Sequence, residues 1–227
     1  MKPSALLSMI ILAATGTAYS GPPSLSEMAV PALAAELCDG DASVRQAAIL
    51  ALREMGPGAK AAIPALAGRL RDEDRYVAVD ASQTLGKMGP EAVPCLVQLL
   101  GDEAPGVRVL AIQALQQIEP AAKAALPALT ERLRDCNASV RQAAVLALRE
   151  MGRDAKASIP GLAERLQDED PYIASDASQT LGKMGPDAVP CLLPLLRHRQ
   201  PHVRELAAQT LRQIGLEAVL TGSSDRR

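Results

Sequence analysis

The chain has 227 residues with no Phe or Trp and three Tyr, although hydrophobic residues make up 48% of it. Packing must therefore rest on Ala, Leu, Val and Ile, and because Ala and Leu are strong helix formers, this composition predicts thin helices that approach closely. With 24 basic and 26 acidic residues the formal charge is −2. The chain therefore lacks the excess of positive charge with which proteins bind nucleic acid, which argues against that class of partner.

The first twenty residues have the pattern of a secretory signal peptide. Lys2 precedes an apolar run over residues 5–14, and Ala18 and Ser20 supply the small side chains that a signal peptidase requires. The run is too short to span a bilayer, and an uncleaved anchor is the alternative interpretation. We therefore expect an exported protein, periplasmic or secreted, with a signal peptide over residues 1–20, a linker over 21–27 and no membrane association beyond export.

Six prolines mark a repeated unit of helix, turn and helix. Pro at the first helical position costs no hydrogen bond and presets φ, so each of these prolines predicts the start of a first helix, the earliest running from Pro31 to Cys38. A polar turn such as Asp39 to Asp41 follows, and its second Asp is placed to cap a second helix that ends at Gly56. The six prolines, spaced by 33, 30, 33, 33 and 30 residues, are Pro31, Pro64, Pro94, Pro127, Pro160 and Pro190.

A longer repeat contains these units. Residues 28–123 align without gaps to residues 124–219 at an offset of 96, and roughly two-thirds of the positions are identical, so three hairpins were duplicated as one block. A single hairpin cannot bury its apolar stripe, and neighbours must stack into a continuous core. We predict an all-α fold, a right-handed α-solenoid of six helical hairpins over 28–219, followed by a disordered tail over 220–227. The predicted repeats span about 28–60, 61–90, 91–123, 124–156, 157–186 and 187–218.

A recurring Asp followed five residues later by Val-Arg resembles the HEAT-repeat family, in particular the short HEAT-like repeats of the phycobilin lyase type. The phrase occurs as Asp39 with Val44 and Arg45, Asp102 with Val107 and Arg108, and Asp135 with Val140 and Arg141. The resemblance covers nearly all of 28–219, and it implies a ladder of Asp and Arg side chains between successive turns.

This sequence departs from the ladder at three positions. Ala78 and Ala174 replace the Arg in repeats two and five, and His198 replaces the Asp in repeat six. We predict broken rungs at these positions, and a value of about 0.5 kcal/mol for each remaining pair if the pair is partly exposed.

Enzymes exist among proteins with this type of repeat, so three activities have to be considered. HEAT-like hydroxylases bind iron through His-Glu pairs, and this chain has none. HEAT-like DNA glycosylases need a basic cleft with aromatic side chains, which the composition does not supply. Phycobilin lyases are the closest in repeat style, but they act on a cytosolic partner, which the export signal argues against. We predict no catalytic residues, cofactor or metal, and keep a lyase, another enzyme or a ligand carrier as the alternative.

Two smaller groups of residues were also candidates for chemistry. His198 and His202 lie within a basic cluster, but Pro201 between them and the lack of further ligands favour a solvated turn over a metal or phosphate site. Asp80 and Asp176 interrupt the apolar pattern of second helices, and we predict that they pair with Arg45 or Arg141 of the preceding repeat.

The four cysteines are predicted to be thiols although the chain is predicted to be exported. Cys95 and Cys191 are the same position three repeats apart, which places them about 30 Å from each other, beyond the ~7 Å limit for a disulfide. Cys38 and Cys136 likewise belong to repeats one and four. Cys95 takes the position that Ala65 occupies in repeat two, so we predict a small buried hydrophobe.

The outward face of the second helices is the predicted binding surface. At 100° per residue, one face of the second helix of repeat one carries Leu52 together with Val44, Ala48, Ala51 and Met55, and we predict that this face is buried. The outward residues are then Gln46, Ile49, Leu50 and Arg53. The same rule places Gly86 and Gly182 outward on the second helices of repeats two and five. The resemblance implies that second helices line the concave side. Apolar residues among glutamines there suggest a groove for a protein segment, with ordinary surface scatter as the alternative. The predicted partner-binding residues are Gln46, Leu50, Arg53, Val79, Gln83, Val109, Gln113, Gln142, Leu146, Arg149, Gln179, Gln209 and Arg212.

These observations predict a monomeric protein–protein interaction scaffold or adaptor that binds a partner segment along the concave face. A lyase, another enzyme or a ligand carrier with its site in the same groove is the alternative function. The identity of the protein or peptide partner does not follow from the sequence.

Overall fold

The computed structural model describes residues 25–118 and 121–222, with side chains from 29 to 118 and from 123 to 215. The predicted signal peptide, most of the linker and residues 223–227 lie outside the described residues. Twelve α-helices in the described part form six consecutive pairs, each a first helix and a second helix. The chain divides into two compact units between Ala122 and Lys123, which we call the N-terminal and C-terminal units.

Each unit contains three hairpins. In the N-terminal unit the pairs are α1 (Leu25–Glu36) with α2 (Ala42–Met55), α3 (Ile63–Gly68) with α4 (Arg75–Met88), and α5 (Val93–Leu99) with α6 (Pro105–Gln116). In the C-terminal unit they are α7 (Leu126–Arg132) with α8 (Ala138–Met151), α9 (Ile159–Glu164) with α10 (Pro171–Met184), and α11 (Val189–Leu192) with α12 (Pro201–Gly222). Short 3-10 helices adjoin most first helices: Gly56–Ala62, Arg69–Arg71, Pro90–Ala92, Ala121–Ala125, Gly152–Ser158, Arg165–Gln167, Gly185–Ala188 and Pro194–Arg197. The predicted all-α solenoid of six hairpins is confirmed as the fold class.

The predicted helix ends follow from the residues that were singled out. The side chain of Asp41 accepts a hydrogen bond from the Ser43 backbone N–H at 2.8 Å and caps α2. Gly56 ends the same helix with φ of 53°, a conformation that favours glycine. Pro64 is the second residue of α3, as predicted for a helix start. Pro31 is the exception, because α1 begins at Leu25 and contains this proline in its interior.

The core of each unit lies between the first helices and the second helices, and successive second helices pack against each other. Leu52 is fully buried, as predicted. The outward assignment of Ile49 is wrong, because its side chain is also fully buried. A second helix contacts its own first helix and a neighbouring second helix, so its apolar face is wider than a single stripe.

Gly86 and Gly182 are also buried rather than outward. A Cβ added to Gly86 would lie 2.8 Å from the Cβ of Gln117, and one added to Gly182 would lie 2.6 Å from Oε1 of Gln213. Both glycines permit a following segment of the same unit to approach closely.

The cysteines differ in exposure. Cys38 and Cys136 are exposed, whereas Cys95 and Cys191 are half-buried. The prediction of a buried Cys95 is therefore correct only in part. The presence of four thiols in the mature protein stays a prediction, as does its export.

Candidate functional site

The thirteen predicted partner-binding residues all lie on second helices, and all of them are at least partly accessible. We call them the second-helix surface, and each unit presents its own part of it. The most exposed members are Gln83, Gln113, Gln179, Gln209 and Arg212. The apolar members Leu50, Val79, Val109 and Leu146 are half-buried, as are Gln46, Arg53, Gln142 and Arg149.

Asp80 joins several polar members of this surface in the N-terminal unit. Gln46 donates from Nε2 to Asp80 Oδ2 at 2.6 Å, and the Arg53 guanidinium lies 3.7 Å from Asp80 Oδ1. Arg53 also donates to Gln83 Oε1 at 3.5 Å. The prediction that Asp80 pairs with Arg45 is wrong, because Asp80 on α4 lies opposite Gln46 and Arg53 of the preceding second helix.

The C-terminal unit repeats this arrangement in part. Arg149 donates to Asp176 Oδ1 at 3.2 Å, so the predicted partner Arg141 is wrong here too. About a quarter of each Arg149 and Arg53 side chain is exposed, at 27% and 23%. An acidic partner would therefore have to compete with an intramolecular carboxylate for either cation.

Two rungs of the arginine ladder implied by the family resemblance are present and buried. Arg45 donates from Nε and from a terminal nitrogen to the two carboxylate oxygens of Asp72, at 2.9 and 2.7 Å. Arg141 binds Asp168 in the same way at 2.8 and 2.8 Å. The exposed fractions of these four side chains are 7% or less. The value expected for partly exposed pairs therefore does not apply to these two rungs.

The electrostatics of the ladder acids agree with this geometry. Burial alone would raise the pKa of Asp72, but the hydrogen bonds and charge of Arg45 outweigh it and hold the pKa below the ordinary value of an Asp. The pKa of Asp168 is lowered in the same way, against its burial, by Arg141. Both acids also accept a hydrogen bond from a backbone N–H two residues later.

The rung predicted to be broken at Ala78 is instead supplied by another residue. Arg71, in the 3-10 segment before the turn of repeat two, donates from Nε to Asp102 Oδ2 at 2.6 Å. At the equivalent place in repeats five and six the duplicated block has Gln167 and His198. Within the described residues no ion pair joins those two turns.

A pocket of about 560 Å³ lies at this place in the C-terminal unit. We call it the rung-five pocket. One wall comes from the turn of repeat five and the start of α10, and the other comes from the first half of α12. Its lining consists of Gln167, Asp168, Glu169, Pro171, Ala174, Gln200, His202, Glu205, Leu206 and Gln209.

Two exposed tyrosines near the turns were missed by the sequence analysis. Tyr76 and Tyr172 are each 75% exposed, in the first turn of α4 and of α10. Tyr is a common anchor of protein interfaces. The sequence could have indicated them, because Tyr76 and Tyr172 are the two aromatic residues that follow the predicted signal peptide, and they occupy equivalent positions of the duplicated blocks.

Candidate metal ligands and membrane-spanning helices also bear on the function. Among the described residues, no three His, Cys, Asp or Glu side chains are grouped so that they could hold a metal ion. His198 lies in the turn before α12, accepting from the backbone N–H of Gln200, and His202 is exposed in the first turn of that helix. None of the helices in 25–118 and 121–222 has the length and apolar character of a membrane-spanning segment.

Paired helices stacked through a buried Arg–Asp ladder define a helical-repeat protein. The chain belongs to the HEAT-repeat family, since the family described as HEAT repeats matches residues 10–85, 63–149 and 159–222. The first of these ranges begins inside the segment interpreted as a signal peptide.

Solved structures with a similar fold include natural and designed repeats. The complex of CpcE and CpcF of phycocyanin lyase from Nostoc sp. PCC7120 contains a chain 26% identical to this one, with a TM-score of 0.53, covering 90% of this chain and 82% of that chain. A computationally designed armadillo repeat protein for modular peptide recognition is 19% identical, with a TM-score of 0.51, covering 81% of this chain and 99% of that chain. No curated protein sequence matches the chain.

Proposed function

We propose that this protein is an exported interaction scaffold whose second-helix surface binds a segment of another protein. The observation that carries the proposal is the composition of that surface. Half-buried Leu50, Val79, Val109 and Leu146 share their second helices with glutamines, of which Gln83 and Gln113 are exposed. Apolar side chains offer contact area and glutamines offer donors and acceptors to a peptide backbone, which is the chemistry of an extended or helical ligand.

The test uses paired substitutions on the surface and a matched control. Leu50→Asp with Leu146→Asp places a charge on the surface of each unit, and we expect loss of the proteins that the wild type captures from the exported fraction of its source cells. Leu193→Asp is the control, because Leu193 is 53% exposed and lies on the first-helix side. Far-UV circular dichroism checks that all variants keep the fold. Unchanged capture by the folded double variant would contradict the proposal.

Export is the second part of the proposal and rests on the apolar run over 5–14 followed by Ala18 and Ser20. We expect the mature protein to begin at Gly21. Intact-mass measurement of the protein recovered from the cell envelope and the medium tests this. Recovery of the uncleaved chain from the cytoplasm would contradict it.

A lyase-type ligand carrier is the second candidate function, favoured by the similarity to a chain of the phycocyanin lyase complex. A protein of this class would bind a tetrapyrrole in its groove. Adding a bilin to the purified protein and recording its visible absorbance tests this candidate. A saturable spectral change that Leu50→Asp with Leu146→Asp abolishes would favour it over the scaffold.

A further inference from the structure

The turn between the two helices of a repeat carries two successive backbone carbonyl groups. In repeats one, three, four and six, the ladder Arg donates from one terminal nitrogen to two successive carbonyl oxygens of its own turn. Arg45 reaches Asp39 O at 2.8 Å and Gly40 O at 3.2 Å, and Arg141 reaches Asp135 O at 3.0 Å and Cys136 O at 3.3 Å. Arg108 and Arg204 make the equivalent two bonds at 2.7 and 3.0 Å each. The turn therefore forms a receptor for a guanidinium.

Repeat five has the same turn but no arginine to fill it. Ala174, which is 2% exposed, stands where Arg45 and Arg141 stand in their repeats. Within the part of the chain that the structure describes, no donor reaches the carbonyl oxygens of Asp168 and Glu169. These carbonyls belong to residues that line the rung-five pocket.

The pocket has the charge that a cation requires. Its lining includes the carboxylates of Asp168, Glu169 and Glu205 and contains no Lys or Arg. Asp168 is bound by Arg141 and Arg165, so its charge is already shared. Glu205 is exposed, and Glu169 is 89% exposed with its carboxylate 3.5 Å from Arg141. The pocket thus adds two accessible carboxylates to two backbone acceptors.

Repeat two differs from repeat five at this place. It also lacks the ladder Arg, but Arg71 crosses to Asp102 and bridges the two turns there. Gln167 and His198 remove both partners of that bridge in the second block, and Glu205 replaces Val109. At these three positions the first block has a cation and a carboxylate, whereas the second block has a carboxylate and neither Lys nor Arg.

We propose that the rung-five pocket receives an arginine side chain of the bound protein segment, which takes the place of the missing ladder arginine. This inference rests on the proposed function, and Gln209 belongs both to the second-helix surface and to the pocket lining. A guanidinium fits better than an ammonium, because its planar fork of N–H donors matches two adjacent carbonyls and a carboxylate at once.

The experiment is an NMR titration of the full chain with N-acetyl-arginine amide, and with N-acetyl-citrulline amide as the uncharged analogue of the same shape. We expect saturable shifts of the backbone amides of Ala174, Glu205 and Gln209 with the arginine ligand alone. Glu205→Gln should weaken binding by about two- to fivefold, as for one exposed ion pair.

The decisive variant fills the rung-five pocket with an arginine side chain of the protein itself. Ala174→Arg restores the ladder residue and should abolish the titration, whereas Ala78→Arg adds the same charge in repeat two and should leave it unchanged. If Ala174→Arg does not fold, Gln167→Arg with His198→Asp recreates the bridge of repeat two and should also abolish binding. Equal shifts with citrulline, or binding that survives a folded pocket-filling variant, would overturn the proposal.

The outcomes separate this proposal from the proposed function. Leu50→Asp and Leu146→Asp lie outside the pocket lining and should leave the arginine titration unchanged. If they abolish partner capture while arginine does not bind, the scaffold stands and the pocket proposal fails. If arginine binds and capture is insensitive to them, the pocket stands and the second-helix surface is not where the partner binds.

Discussion

The buried ladder should contribute far more to stability than an exposed ion pair of the same geometry, and the C-terminal unit contains both. Arg141 binds Asp168 through two bonds of 2.8 Å, and the two side chains are 7% and 1% exposed. Arg134 binds Glu164 through two bonds of 2.9 and 2.6 Å, with 69% and 42% exposed. Burial is thus the main difference between the two pairs.

Asp168→Asn keeps the shape of the side chain and removes its charge. It leaves the buried Arg141 guanidinium with the carbonyls of Asp135 and Cys136 and with the exposed carboxylate of Glu169 at 3.5 Å. It also removes the nearer of the two carboxylate partners of Arg165, the other being Glu164 at 3.9 Å. Removing one partner of a buried pair costs about 3–5 kcal/mol, and because Asn retains one acceptor oxygen we expect about 3 kcal/mol. Glu164→Gln should cost less than ~1 kcal/mol, since water replaces the lost contact.

Urea unfolding at neutral pH, followed by far-UV circular dichroism, measures both values. The two variants should have the m-value of the wild type, so that the shift of the midpoint reports stability alone. Arg134→Gln serves as a second exposed control. A cost for Glu164→Gln equal to that for Asp168→Asn would refute the argument that burial sets the strength of the ladder.

Three further predictions follow from the same geometry. The pKa of Asp168 is lowered in the folded chain. The contribution of this group to the free energy of unfolding is therefore complete above the ordinary Asp pKa of about 4, and it is lost as the pH falls through the lowered value. Urea midpoints should thus fall more steeply on acidification for the wild type than for Asp168→Asn. Leu148→Ala should cost about 2–4 kcal/mol by urea unfolding and half-buried Leu146→Ala clearly less; the reverse order would mean that the faces of α8 are assigned wrongly. Gly86→Ala should lower the thermal midpoint, because the new methyl group would meet the Cβ of Gln117. Gly182→Ala should be neutral or stabilising, because its methyl group would meet the side-chain amide of Gln213, which can move. Equal effects of the two substitutions would contradict this.

The fold and the binding surface were predictable from the sequence to different extents. Pro64, the capping Asp41 and the glycine stop at Gly56 report local backbone preferences, and the structure keeps all three. Pro31 is the exception, because it lies inside α1. Ile49 shows where a local rule fails, because a single-helix projection assumes one buried face and this helix has two neighbours. Its burial depends on packing that a helix projection does not include.

The ion pairs were harder to predict because they depend on the register between adjacent repeats. Sequence spacing gives Asp80 several arginines within reach, and the structure pairs it with Arg53 and Gln46 of the preceding second helix. Arg71 lies outside the family pattern, so nothing in the motif indicated that it would bridge to Asp102. The rung-five pocket has a sequence signal in Ala174 and His198, but its lining needed the positions of two turns.

The duplication creates a problem of pairing during folding, which the unequal ladder positions reduce. Residues 80–90 and 176–186 are the same, so α4 and α10 present identical stretches, and tandem units of high identity are prone to exchange equivalent elements. The Arg71–Asp102 bridge belongs to one block alone. An exchanged assembly with Arg71 opposite His198 would lose that bridge, so the substitutions that open the pocket also disfavour misassembly.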